Sequence, residues 1–206
     1  MRRAKVADLD RIMRLERATF TDDAWPEEAM RREIEGEHGY YLIAVDDDAE
    51  SAVRRAAADG TAQGADGADG ADDADDAAGG VELLDPGLLG YAGLLAPRGG
   101  EQGDIQTIAV APAARGMGLG RGLMHALITE ARRRGIAYLF LEVRADNPIA
   151  RNLYRSLGFE EIGVRPRYYR HGIDAVLMRL AVPGAVTRPA GDGADAAGGT
   201  EDRRRA

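Results

Sequence analysis

Ile105 to Val110 is an apolar, β-prone run that Pro112 ends, and an amphipathic helix follows almost at once. Between them stands Arg115-Gly116-Met117-Gly118-Leu119-Gly120. Leu123, Met124, Leu127, Ile128 and Ala131 then recur at helical spacing, so a helix is predicted over 118–134, with Gly135 suited to end it. A strand, a glycine-rich turn and a helix in direct succession commit this stretch to an α/β arrangement. They also set the unbonded N–H groups of the first helical turn beside a loop nearly bare of side chains. Such a place binds anions, phosphate above all.

Spacing separates the phosphate readings. A P-loop needs Gly-Lys-Ser/Thr, and no Lys follows here. A dinucleotide site needs Gly-x-Gly-x-x-Gly with an acid about twenty residues on, whereas Gly116, Gly118 and Gly120 are spaced Gly-x-Gly-x-Gly. Read as Arg115, Gly118 and Gly120, the pattern is Arg-x-x-Gly-x-Gly. It resembles the pyrophosphate loop of the GNAT N-acetyltransferases, which hold acetyl-coenzyme A. The plain alternative is a helix start whose glycines serve only close packing.

The 206 residues suit one domain with tails. No Cys is present, so a disulfide framework, a Cys-based zinc site and a cysteine nucleophile are excluded. His38, His125 and His171 are too scattered to suggest a metal site, and none is expected. No apolar run nears the roughly 18 residues of a membrane span, and no signal-peptide core is evident, so a cytoplasmic chain without membrane contact is expected. The net charge of −8 belongs to one segment. Residues 46–80 hold eleven acids and two arginines; of the chain's 35 acidic and 27 basic residues, 24 and 25 lie elsewhere. That segment is Ala, Asp and Gly in near-repeats, unable to bury enough apolar surface to offset ordering entropy, and it reads as a disordered insertion between two strands. It lacks the ligand spacing of a calcium loop.

Taken in order, Met1–Val6 is a weak first strand. Asp8 is placed to cap a helix with Leu9, Ile12 and Met13 facing inward, ending near Phe20. Pro26 suits the first position of a second helix carrying Met30 and Ile34 and stopping at Gly36. Strands are expected at 40–45, 88–95 and 104–110, with structure resuming at Leu83–Leu84. The run Tyr138–Val143 reads as a central strand covered on both sides. Pro148 begins a helix that carries Ile149, Ala150, Leu153 and Leu157 and stops at Gly158, and strands follow at 159–164 and 175–180. From Pro183 a disordered tail is expected. The expected fold class is α/β: one domain over 1–182, a mixed sheet with helices on both faces.

Glu142 stands near the end of that central strand, alternating with apolar residues. A carboxylate there is costly unless it reaches water, a substrate or a partner such as Arg144 or another Arg. Asn147 is a good helix cap. Tyr154 shares a helical face with Ala150 and can be core or catalytic.

LEVRADNPIARNLYRSLGFEEIGVRPRYY, followed by DAVLM, resembles the bacterial RimI-type branch of the GNAT family, whose members acetylate the N-terminal alanine of a small-subunit ribosomal protein. The likeness spans about 1–45 and 81–181. Leu-Tyr-x-Ser-Leu-Gly-Phe points only to the superfamily; Leu-Glu-Val-Arg, Tyr168-Tyr169 and Asp174-Ala175 point to the branch. The resemblance implies a GNAT fold, Glu142 as proton acceptor and Tyr154 as proton donor. It implies acetyl-CoA contacts at Ile108, Ala109 and Val110, along Arg115, Gly116, Met117, Gly118, Leu119, Gly120 and Arg121, and at Asn147. The segment around Trp25-Pro26 resembles a substrate-side loop of the family, and Tyr168 and Tyr169 either shape the same groove or pack on the last strands. A small-amine acetyltransferase and a non-catalytic acyl-CoA-binding module remain as alternatives. Nucleic-acid binding through Arg132–Arg134 is disfavoured, because those arginines complement a helix C-terminus and no stacking platform accompanies them.

Overall fold

A computed structural model describes residues 1–49, 51 and 87–184. The expected disorder of the acidic segment beyond its first residues, the Leu83–Leu84 resumption and the tail from 185 lie outside the described residues. In chain order the elements are β1 (Arg2–Arg3), α1 (Leu9–Phe20), α2 (Glu27–Glu35), β2 (Gly39–Val45), β3 (Leu88–Leu95), β4 (Gln102–Val110), α3 (Leu119–Arg133), β5 (Tyr138–Arg144), α4 (Pro148–Ser156), β6 (Glu160–Tyr169) and β7 (Ile173–Ala181). The strands form one mixed sheet in the order β1-β2-β3-β4-β5-β7-β6.

Strand alternation divides the apolar residues between two cores. Tyr41 and Ile43 join Tyr91 against Leu9, Ile12 and Met13 of α1 and Met30 of α2. Leu42, between them, faces the other way with Leu94, Ile105 and Leu139, against Leu123, Met124 and Leu127 of α3 and Tyr154 of α4. Helices thus cover both faces, as expected.

Several local expectations need correction. Asp8 precedes α1 but does not cap it: its carboxylate accepts the Lys5 N–H at 2.8 Å and pairs with Arg2 at 2.7 Å. Pro26 stands one residue before α2 with extended backbone, not inside its first turn. Asn147 does cap α4, its Oδ1 accepting the Ala150 N–H at 3.0 Å. Ile149 is 84% exposed, so the inward face of α4 is carried by Ala150, Leu153 and Tyr154. β5 is covered on one face only: Leu139, Leu141 and Val143 are buried, while Phe140 and Glu142 look into a cleft. An apolar run alone cannot distinguish a doubly covered strand from one whose second face is an aromatic wall.

Among the described strands only β4 and β5 run parallel, and they pair from Gln102↔Tyr138 to Ile105↔Leu141. Beyond that point β4 continues along β3 to Val110, and β5 along β7 to Arg144. The two strands part, and the sheet opens into a wedge. A bulge marks the place: Thr107 lies opposite Gly93 and Ile105 opposite Leu94, leaving Gln106 without a ladder partner on β3. The Tyr41 hydroxyl donates to Gln106 Oε1 at 2.7 Å. Its ring crosses Gly93, where an added Cβ would sit 2.4 Å from a ring carbon. Glycine there lets the tyrosine reach the bulge.

At the other end of β2, Val45 pairs with Leu88 and the Asp46 N–H donates to the Gly87 carbonyl at 3.0 Å. The two strand ends bounding the acidic segment are therefore joined across the sheet.

Candidate active site

The wedge contains a cleft of about 680 Å³. Its walls come from the connection between α1 and α2 (Asp23, Trp25), from β4 (Asp104, Gln106), from β5 (Phe140, Glu142) and from β6 (Arg165, Tyr168, Tyr169). Glu142 Oε1 pairs with Arg165 Nη1 at 2.6 Å. The guanidinium lies 5.6 Å from the Tyr168 ring centre. A hydrogen bond to Glu142 holds the Tyr168 hydroxyl above the usual phenol range, and partial burial adds to that shift. The arginine partner is Arg165, not Arg144, which binds Asp23 at 2.8 Å and Asp146 at 3.0 Å. Tyr168 and Tyr169 meet edge to face at 5.1 Å, and both line the cleft.

Asp104 was not apparent in the sequence. The β4–β5 register sets it opposite Phe140, on the face that carries Glu142 two residues on. Partial loss of water contact, then the charge of Glu142, raises its carboxyl above the usual range.

Glu16 was missed too. It is 1% exposed on α1, accepts the Trp25 N–H at 2.9 Å and takes a short hydrogen bond from the Tyr91 hydroxyl. Tyr91 also meets Thr107 on β4 at 3.1 Å. Burial pushes the Glu16 carboxyl up, against these hydrogen bonds. The loop before α2 is therefore pinned to the sheet behind the cleft. From the front, Asp23 accepts the Arg170 N–H at 3.2 Å and Asp22 meets His171 at 2.9 Å. The signal in the sequence was an acid in line with the apolar stripe of α1, four residues after Ile12 and three after Met13.

At the open end of β4, the glycine turn has the expected form. Gly116 and Gly118 take φ of 77° and 80°, left-handed values that favour glycine, and Gly118 caps α3. The first helical bond runs from the Gly122 N–H to the Gly118 carbonyl at 3.0 Å, so the N–H groups of Leu119, Gly120 and Arg121 have no helical acceptor. Arg115, Gly116, Met117 and Gly118 are exposed. Arg115 Nε donates to the Val110 carbonyl at 3.2 Å, tying loop to strand, and Arg121 reaches Ser156 at 2.8 Å. On β4, Ala109 is buried toward α1, while Ile108 and Val110 face the α3 core. A bare, exposed turn running into unbonded helical N–H groups fits a phosphate-bearing donor.

Tyr154 lies deeper. It packs in the α3–α4 core, 6.0 Å from the Phe159 ring, and is not among the residues lining the cleft. Burial pushes its hydroxyl well above the usual phenol range, so it stays protonated at neutral pH. Asn147, with its side chain engaged as a cap, stands where β5 turns into α4. The structure thus gathers Glu142 with Trp25, Tyr168 and Tyr169, leaves Tyr154 behind that wall, and sets 108–110 and 115–121 at the open end of β4. Among the described residues, no group of three or more His, Asp or Glu side chains could hold a metal ion, and no helix is long and apolar enough to cross a membrane.

The acetyltransferase (GNAT) family model matches residues 9–159. The chain belongs to the GNAT family. Over 177 residues it is 36% identical to the N-alpha-acetyltransferase RimI of Mycobacterium tuberculosis, covering 84% of this chain and 86% of that protein. It is therefore a GNAT enzyme of the RimI type. An uncharacterized Mycobacterium leprae protein is 37% identical over the same 84% of the chain, which spans only 38% of that protein's length. Among solved structures, the ribosomal-protein-S18-alanine N-acetyltransferase of Escherichia coli superposes with a TM-score of 0.63 at 25% identity, covering 91% of this chain and 96% of that one. GNAT membership makes the enzyme an N-acetyltransferase that uses acetyl-CoA.

Proposed function

We propose that this enzyme transfers the acetyl group of acetyl-CoA to the N-terminal α-amine of a protein, with the N-terminal alanine of a small-subunit ribosomal protein as its acceptor. The observation that carries the reading is Glu142, standing in a cleft walled by Trp25, Tyr168 and Tyr169 where β5 parts from β4. The similarity to an N-alpha-acetyltransferase and to a ribosomal-protein alanine N-acetyltransferase supports the choice of acceptor.

Acetyl-CoA supplies the activated thioester. Ile108, Ala109 and Val110, the turn from Arg115 through Gly116, Met117, Gly118, Leu119 and Gly120 to Arg121, and Asn147 are the residues assigned to hold it. An N-terminal amine has a pKa of about 7.7–8.0, so much of it is neutral at cellular pH and the base need remove only one further proton. Glu142 takes that proton as the nitrogen attacks. Backbone N–H groups of β4 beyond Ile105, where β5 no longer pairs, are available to the developing oxyanion. Tyr154 gives its proton to the departing sulfur. Transfer is direct, since the chain has no Cys to carry an acetyl group.

The test is acetyl transfer to short peptides with a free N-terminal Ala, against Nα-blocked peptides carrying Lys and against spermidine. Transfer to the free-amine Ala peptide is expected. Transfer only to Lys or only to the polyamine overturns the acceptor assignment. Tyr154→Phe should lower kcat about tenfold or more with acetyl-CoA affinity unchanged; full activity in that variant removes Tyr154 from its role.

A further inference from the structure

The cleft contains three carboxylates, and their partners differ. Asp23 is held by Arg144 and by the Arg170 N–H. Glu142 is held by Arg165 and by Tyr168. Asp104 lines the same cleft, is open to it, and has no side-chain hydrogen bond or ion pair among the described residues. With the other two compensated, the cleft keeps one unbalanced negative charge, and it is on Asp104. Two carboxylates facing one cleft, of which only one has a cationic partner, attract a cation entering the cleft.

The register sets how close that cation would come to Glu142. Asp104 lies opposite Phe140 and shares a face with Glu142. Strand spacing and rise put the two Cα atoms roughly 8 Å apart, so side chains reaching inward can approach one nitrogen from both strands. Arg165, the arginine among the cleft-lining residues, is already paired with Glu142.

We infer that Asp104 is the anchor for the acceptor's ammonium group: it binds the cationic amine beside Glu142 and makes the site select free amines over blocked ones. The inference rests on the reading of this cleft as the acceptor site. Glu142 remains the base. Asp104 touches the same nitrogen and acts in binding, so its loss belongs in KM.

The test compares wild type, Asp104→Asn and Asp104→Glu with a free-amine Ala peptide and its Nα-acetyl counterpart. Asp104→Asn should raise KM for the free-amine peptide about tenfold while kcat changes less than about threefold; Asp104→Glu should restore most of the affinity. In calorimetry with CoA present, wild type should prefer the free-amine peptide over the blocked one, and Asp104→Asn should lose that preference. Equal melting temperature and acetyl-CoA affinity confirm that the exposed substitution leaves the fold intact. If wild type acetylates the peptide but Asp104→Asn keeps its KM, or loses kcat with KM unchanged, the anchor role is overturned and the proposed function stands. If wild type neither acetylates nor prefers the free amine, both fall.

Discussion

The proposed donor loop and the proposed acceptor cleft both adjoin β4 but are made of different material. The loop is seven consecutive residues, 115–121, and what it offers is backbone: two left-handed glycines and a helical first turn with unbonded N–H groups. The cleft is side chains, gathered from the connection before α2, from β4, from β5 and from β6, across the chain from Asp23 to Tyr169. A site made of backbone depends on where glycines stand. A site made of side chains depends on register and on what holds each wall in place. The two should therefore fail differently.

The largest expected effect is on the cleft. Glu142→Gln should lower kcat by about 10²–10⁴-fold and leave acetyl-CoA affinity unchanged, as read by steady-state kinetics and calorimetry. A variant that keeps its rate would move the chemistry elsewhere in the cleft. Next is the loop. Gly118→Val should weaken acetyl-CoA binding about tenfold or more with little effect on peptide affinity. A Cβ at Gly118 would meet no atom within 4 Å, so the loss comes from backbone strain at φ 80°, of order 1–3 kcal/mol, not from a clash. Unchanged affinity would show that the loop's conformation is not what binds.

The smallest effect is thermodynamic and concerns the support of the cleft. Burial raises the Glu16 carboxyl, so between the ordinary glutamate value of about 4.3 and its folded value the native state keeps a proton that the unfolded chain has released. Glu16 therefore makes stability fall as pH rises through that window, with a slope no steeper than about 1.4 kcal/mol per pH unit. Below the window its contribution is fully present. Acids with lowered values, such as Asp8 and Glu130, act in the opposite direction at lower pH. Urea unfolding of wild type and Glu16→Gln from pH 4 to 7 isolates the difference; parallel curves would show that Glu16 does not hold that proton.

This contrast also explains what could be read from residues alone. The loop was legible because Gly116, Gly118 and Gly120 are adjacent and their spacing is the chemistry. Helical periodicity placed α1 and α3, because their apolar stripes pack on a sheet. Asp104 was not legible: it acquires meaning only when β4 and β5 are paired in register and then parted. Glu16 was hidden for a related reason: it continues the Leu9, Ile12 and Met13 face, but the Tyr91 hydroxyl and the Trp25 amide that satisfy it there come from elsewhere in the chain. Ile149 shows the converse, an apolar residue that the start of α4 turns outward.

The closure at Val45 and Leu88 bears on how this sheet can be altered. Because the two strand ends are held together at Asp46 and Gly87, any flexible connection placed between them starts with its ends already close, and doubling the length of such a connection costs only about 0.6 kcal/mol of closure entropy. The junction is thus a splice point. A cargo domain or an affinity tag of almost any length could be exchanged for the acidic segment there, with the sheet on either side keeping its pairing.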